Sequence, residues 1–136
     1  MIDVFDNVLE DHVSEFVQLQ MNELSWNFNY FSKIGSPNKH WHILCGKSSK
    51  EVLDNGYEWI LSIWDTVKIK YNFKEKYALE DFKRIYMNAH THGVEPHMHQ
   101  DDGDFTMLYY PRCDWDEDWG GGTVVDGTLI EYVGNR

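Results

Sequence analysis

Two cysteines, Cys45 and Cys113, are all that the 136 residues contain. They are too few for a disulfide framework. Neither belongs to a Cys-x-x-Cys pair, so two reduced thiols are expected. Basic residues are also scarce: 12 Lys and Arg against 23 Asp and Glu give a formal net charge of −11. Without a cluster of Lys and Arg, such a chain repels nucleic-acid phosphate and anionic lipid, and neither is an expected partner. No run approaches the ~20 apolar residues of a membrane span, so no membrane association is expected. Residues 1–6 carry neither a basic stretch nor a long apolar one, and do not read as a signal peptide. Internal repeats and low-complexity linkers are missing too. A soluble, cytoplasmic protein is expected.

What is present is a core. The chain is 42% hydrophobic and 15% aromatic, with six Trp, too apolar for disorder and enough for one domain. Residues 2–9 read as a short entry strand or turn. Leu9, Val13, Phe16, Val17, Met21 and Leu24 then follow a helical spacing. Trp26, Phe28 and Tyr30 alternate with Asn27 and Asn29, the period of a half-buried strand. Residues 32–39 read as a loop and 40–44 as a strand. Ser48 and Glu51 fit a capping box that opens a long amphipathic helix through Trp59, Ile60, Ile63, Trp64, Val67 and Tyr71, with Gly56 marking a break or a close contact. Residues 72–77 read as a basic turn.

From residue 78 the pattern becomes strand-like, at 81–90, 96–100, 104–111, 123–126 and 129–133, with Asp126-Gly127 as a hairpin signal. Helices first and strands afterwards predict an α+β fold, as one domain over 1–136: 1–77 as mainly helical support and 78–136 as strands.

Residues 95–123 hold the densest set of chemistry-bearing side chains. Positions two apart on a strand share a face, so His99 and Asp101 could converge on one metal. Two imidazoles and a carboxylate leave three positions of iron(II) open, which suits a bidentate co-substrate and dioxygen. His-x-Asp alone is short and common, and a solvated loop would carry it equally well. Its context adds weight. Thr106, Leu108 and Tyr110 share one face of an apolar strand, where the Tyr110 phenol could meet a co-substrate carboxylate. Trp115 and Trp119 flank an acidic turn, and Gly121-Gly122 allows a bend or close approach before the next strand.

Taken together, Arg84-Ile85-Tyr86-Met87-Asn88, Gly93, His99-x-Asp101, 106–110, Trp115 and Gly121-Gly122-Thr123 resemble, in order and gaps, the prolyl-4-hydroxylase-like 2-oxoglutarate/iron(II) oxygenases. The segment His40-Trp41-His42 and the helix through Trp64 are similar to the N-terminal part of phage and bacterial members; for a phage protein the compartment would be the host cytoplasm. The resemblance implies a double-stranded β-helix, or jelly roll, incomplete here and buttressed by two N-terminal helices. It implies that His99 and Asp101 ligate Fe(II), that Tyr110 contacts 2-oxoglutarate, and that Thr106, Leu108 and Val124 line the same pocket. The family couples decarboxylation of 2-oxoglutarate to succinate and CO2 with hydroxylation of a C–H bond by dioxygen, often on a prolyl residue of a protein or peptide, with ascorbate as an auxiliary.

The family also needs a distal His and, beyond it, an Arg or Lys for the far carboxylate of 2-oxoglutarate. The last His here is His99, and residues 134–136 match the point just before the strand leading to the distal His. The chain therefore reads as truncated at its C-terminus, with little or no turnover expected from residues 1–136.

His97 is a poor stand-in, because three same-face positions span roughly 13 Å when extended. His12, His90 and His92 read as surface residues, and His40 and His42 as packing or hydrogen-bonding groups near the barrel wall. The run Asp101-Asp102-Gly103-Asp104 lacks the Glu that completes a calcium loop. Two other readings stand beside the oxygenase: a non-catalytic jelly-roll binding module, and a zinc or nickel site in the His-rich stretch 90–101. Oligomeric state is left open, although unpaired strand edges would favour association.

Overall fold

Ile43 and Cys45 on one segment and Met87 on another bury alternate positions, and this pattern sets up the main sheet. In the computed structural model, which describes residues 1–94 and 97–136, the chain folds as two compact units. One is Ser25–Thr106; the other joins Met1–Leu24 to Met107–Arg136. The first unit carries three antiparallel strands in the order β1 (Asn27–Tyr30), β2 (His40–Gly46) and β3 (Ile85–Ala89). Trp41 lies opposite Ala89, His42 opposite Asn88, Ile43 opposite Met87 and Leu44 opposite Tyr86. Alternation therefore separates an apolar face, with Ile43, Cys45 and Met87, from a polar face with His40, His42, Tyr86 and Asn88.

The edge strand β1 departs from its expected pattern. It forms, but all four residues are exposed rather than half-buried. Asn29 adopts φ +88°, and the register with β2 shifts between Asn27 and Tyr30. This irregularity turns Phe28 and Tyr30 to different neighbours: Phe28 packs on Trp41 (ring centroids 4.9 Å), while Tyr30 stacks on His42 at 3.8 Å.

The expected long helix forms as two, α2 (Ser49–Asp54) and α3 (Glu58–Lys70). Ser48 caps α2 as expected: its hydroxyl accepts from the Glu51 amide at 3.2 Å, and the Glu51 carboxylate accepts from the Lys47 amide at 2.7 Å. Gly56, at φ +80°, closes the helix; its amide and that of Tyr57 donate to the carbonyls of Leu53 and Val52, a Schellman stop. Trp59, Ile60, Ile63, Trp64 and Val67 form the buried stripe of α3. Residues 73–77 form a short helix, α4 (Phe73–Tyr77), where the basic composition reads as a turn. Buried Phe73, set edge-on to Trp64 at 6.0 Å, gives this turn of helix a tertiary reason to form.

The second unit contains α1 (Asp11–Asn22), a 3-10 turn at Glu117–Trp119, and a hairpin of β4 (Thr123–Val125) and β5 (Thr128–Ile130). The hairpin turns at Asp126 and Gly127, both at positive φ as a two-residue loop of type I′ requires. Asn135, 4% exposed, ties the unit together. Its amide donates to the Tyr110 carbonyl (2.8 Å) and its carbonyl accepts from the Val8 amide (3.1 Å). Its side chain accepts from the Leu9 amide (2.9 Å) and the Tyr109 hydroxyl (3.2 Å) and donates to the Leu9 carbonyl (2.8 Å).

The fold is mixed α and β with antiparallel sheets. Both sheets are small and open, of three strands and two, where a jelly roll takes about eight strands. The strands expected at 96–100 and 104–111 do not form among the described residues; Pro96, at the start of the first, lies outside them, as does Glu95. Among the described residues, the ladder-like bonds within 104–111 are those of Tyr110, to Asn135 and Arg136. Two strands, β1 and β2, precede residue 77. No helix among the described residues is long and apolar enough to cross a membrane.

Candidate functional site

His99 and Asp101 lie in the Ser25–Thr106 unit, on a segment without regular secondary structure. Ion pairs, a hydrogen bond and an aromatic contact hold that segment. The next residue, Asp102, bridges to Lys83 (2.8 Å) and Arg84 (2.9 Å), just before β3. These partners, with the Lys83 hydrogen bond foremost, hold the Asp102 carboxyl below the usual range. The Thr106 hydroxyl donates to Asp101 Oδ2 at 2.7 Å, and Phe105 packs on Tyr77 at 5.7 Å.

His99 and Asp101 lie side by side on this segment. His99 Nδ1 lies 2.9 Å from the carbonyl of His97. With Nδ1 as the donor there, Nε2 is the atom that would serve a metal. Nε2 in turn lies 3.6 Å from Asp101 Oδ1, the oxygen not held by Thr106. Metal bonds of ~2.1 Å put neighbouring ligand atoms ~3 Å apart, so roughly half an ångström of side-chain rotation closes this pair on one ion. By this test the two residues fit a metal. Among the described residues, no group of three or more His, Cys, Asp or Glu converges as a complete metal site.

The polar face of the β1–β2–β3 sheet belongs to the same neighbourhood. Burial raises the Tyr86 phenol, and the charge of Asp101 raises it further. His42 Nδ1 lies 2.7 Å from the Asn88 side-chain oxygen. His40 is 2% exposed, and its Nε2 has no hydrogen-bond partner among the described residues. Burial pushes its pKa down to about 4, with nearby His90, His42 and His99 acting in the same direction. His90 follows β3 and sets its ring 4.6 Å from that of His40; burial lowers its pKa as well. It is exposed, as the sequence suggests, but it is also a partner of His40. His12 stays on the surface near Glu10. A groove of about 700 Å³ runs along Phe28, Tyr30, His42 and Tyr57; neither His99 nor Asp101 lines it.

The remaining expected site residues are distributed differently. Thr106 contacts a ligand candidate directly. Leu108, Tyr110 and Val124 belong to the other unit, where Leu108 and Val124 are about half exposed. The Tyr110 hydroxyl donates to Thr123 Oγ1 at 2.7 Å, and its ring stacks on Tyr132 at 4.5 Å. Trp115 stacks on the other partner of that row, Tyr132, at 4.3 Å, and a Cβ on Gly121 would come within 2.9 Å of the Trp115 ring.

Sequence reasoning places Asn88 and His90 in the same stretch as His99 and Asp101 but does not bring His40 and His42 beside them. The available signal is the alternation His40-x-His42 and Asn88-x-His90 on two pairable strands. Compared with models of known protein families, with curated proteins and with solved structures, the chain matches none.

Proposed function

We propose that the chain is of the 2-oxoglutarate/iron(II) oxygenase type, with His99 and Asp101 as metal ligands and a jelly roll as its parent fold. The observation that carries this reading is the mutual setting of the pair. Nε2 and Oδ1 lie 3.6 Å apart, while the other atom of each side chain is engaged by the His97 carbonyl or the Thr106 hydroxyl. When bound, iron(II) would supply dioxygen activation coupled to decarboxylation of 2-oxoglutarate and hydroxylation of a C–H bond. The chain's own part is to hold the ion and to keep His99 in the tautomer that offers Nε2. Asp102 restrains the segment through Lys83 and Arg84. Roles for Tyr110, Leu108 and Val124 at 2-oxoglutarate, and a prolyl or related residue of a protein or peptide as substrate, rest on the sequence resemblance alone.

A second reading, a non-catalytic binding module, draws support from the lack of a three-residue metal cluster among the described residues. Anaerobic Fe(II) titration with and without 2-oxoglutarate separates the two. The oxygenase reading expects one iron per chain, tighter binding with 2-oxoglutarate, and a loss of at least ~10-fold in Asp101→Ala. Iron binding unchanged in Asp101→Ala contradicts it.

A further inference from the structure

We propose that His40 and His90 form a second site, for a divalent transition metal of the zinc or nickel class, separate from His99 and Asp101. The register of β2 and β3 brings the two together: Trp41 opposes Ala89, and one step further sets His40 beside His90. Their ring centroids are 4.6 Å apart with planes tilted by 36°. Two imidazoles bound at neighbouring positions of one ion, with bonds of ~2.0–2.1 Å, have centres on the order of 4.5–5 Å apart.

The second observation is the state of His40. Its Nε2 is buried without a hydrogen-bond partner among the described residues. A polar atom left so is destabilising, and a metal bond relieves that. His42, the next imidazole on this face, holds Asn88 through Nδ1 and stacks its ring on Tyr30. His90 is exposed and forms the solvent side of the pair. Neutral imidazoles favour zinc, nickel or copper over magnesium or calcium. The site needs only two protein ligands and stands whether or not the oxygenase reading does.

The test is calorimetric titration of the untagged full chain with Zn2+ near neutral pH. One zinc equivalent should survive His99→Ala and weaken at least ~10-fold in His90→Asn. His90 is exposed, so that variant should fold even if His40→Asn does not. Zinc binding that disappears in His99→Ala but stays intact in His90→Asn overturns the proposal, as does an absence of zinc binding in the wild type.

Discussion

In the Ser25–Thr106 unit the buried set is mostly apolar: Ile43, Cys45, Val52, Trp59, Ile60, Ile63, Trp64, Val67, Phe73 and Met87. In the unit formed by Met1–Leu24 and Met107–Arg136 it is Val8, Leu9 and Val17, with Ser14 and Asn135 beside them. The first is stabilised by removing helix and strand side chains from water, a term that grows with area and depends little on any one bond. The second relies on one asparagine, whose backbone and side chain make five hydrogen bonds to residues distant in sequence. The polar face of the sheet sits on the robust unit. A face that leaves Nε2 of His40 unpaired needs a stable scaffold behind it.

The strongest test of this contrast removes Trp64, the hub of the aromatic cluster with Phe73 and Phe82. Trp64→Ala should cost about 4 kcal/mol. In native-state hydrogen exchange it should lower protection at the amides of Ile43 and Cys45. Asn135→Ala should cost about 3 kcal/mol, because several buried groups lose partners at once. It should lower protection at Leu9 and Val8 instead. Equal effects of both substitutions on both sets of amides would erase the distinction between a burial-driven and a bond-driven unit.

A smaller effect concerns pH. The folded His40 titrates near 4, whereas the unfolded group titrates near 6.5. Between these values the unfolded chain holds a proton that the folded chain does not. The His40 contribution is therefore fully present above about pH 6.5 and is lost as pH falls through about 4. Urea denaturation of wild type and His40→Leu across this window checks it: the variant should show the flatter profile.

Local chemistry was the legible part of the fold. The turn at Asp126-Gly127, the Ser48 cap and the stripe on α3 each depend on a few neighbouring residues, and each forms as its residues predict. What failed to show depends on distant partners. Nothing in the run Trp26 to Tyr30 announces that Asn29 takes a positive φ and sends Phe28 and Tyr30 to different neighbours. Nor does composition reveal that α4 forms around buried Phe73. Asn135 reads as a turn residue at a strand end, and its role appears only once Leu9 and Tyr109 are beside it.

The candidate site divides in the same way. His99 and Asp101 stand out as a motif, and the structure adds the carbonyl and hydroxyl that orient them. The His40–His90 pair needs the β2–β3 register, which residue types alone do not set.

The central claim, that His99 and Asp101 are a prepared pair of metal ligands, is tested most directly by NMR of the histidine rings as Mn2+ is added with 2-oxoglutarate. Before metal, the His99 ring should carry its proton on Nδ1. Sub-stoichiometric Mn2+ should then broaden the His99 ring signals first, leave exposed His12 sharp, and lose this selectivity in Asp101→Ala. His99 and His12 broadening together, or His99 broadening unchanged in Asp101→Ala, would contradict the account.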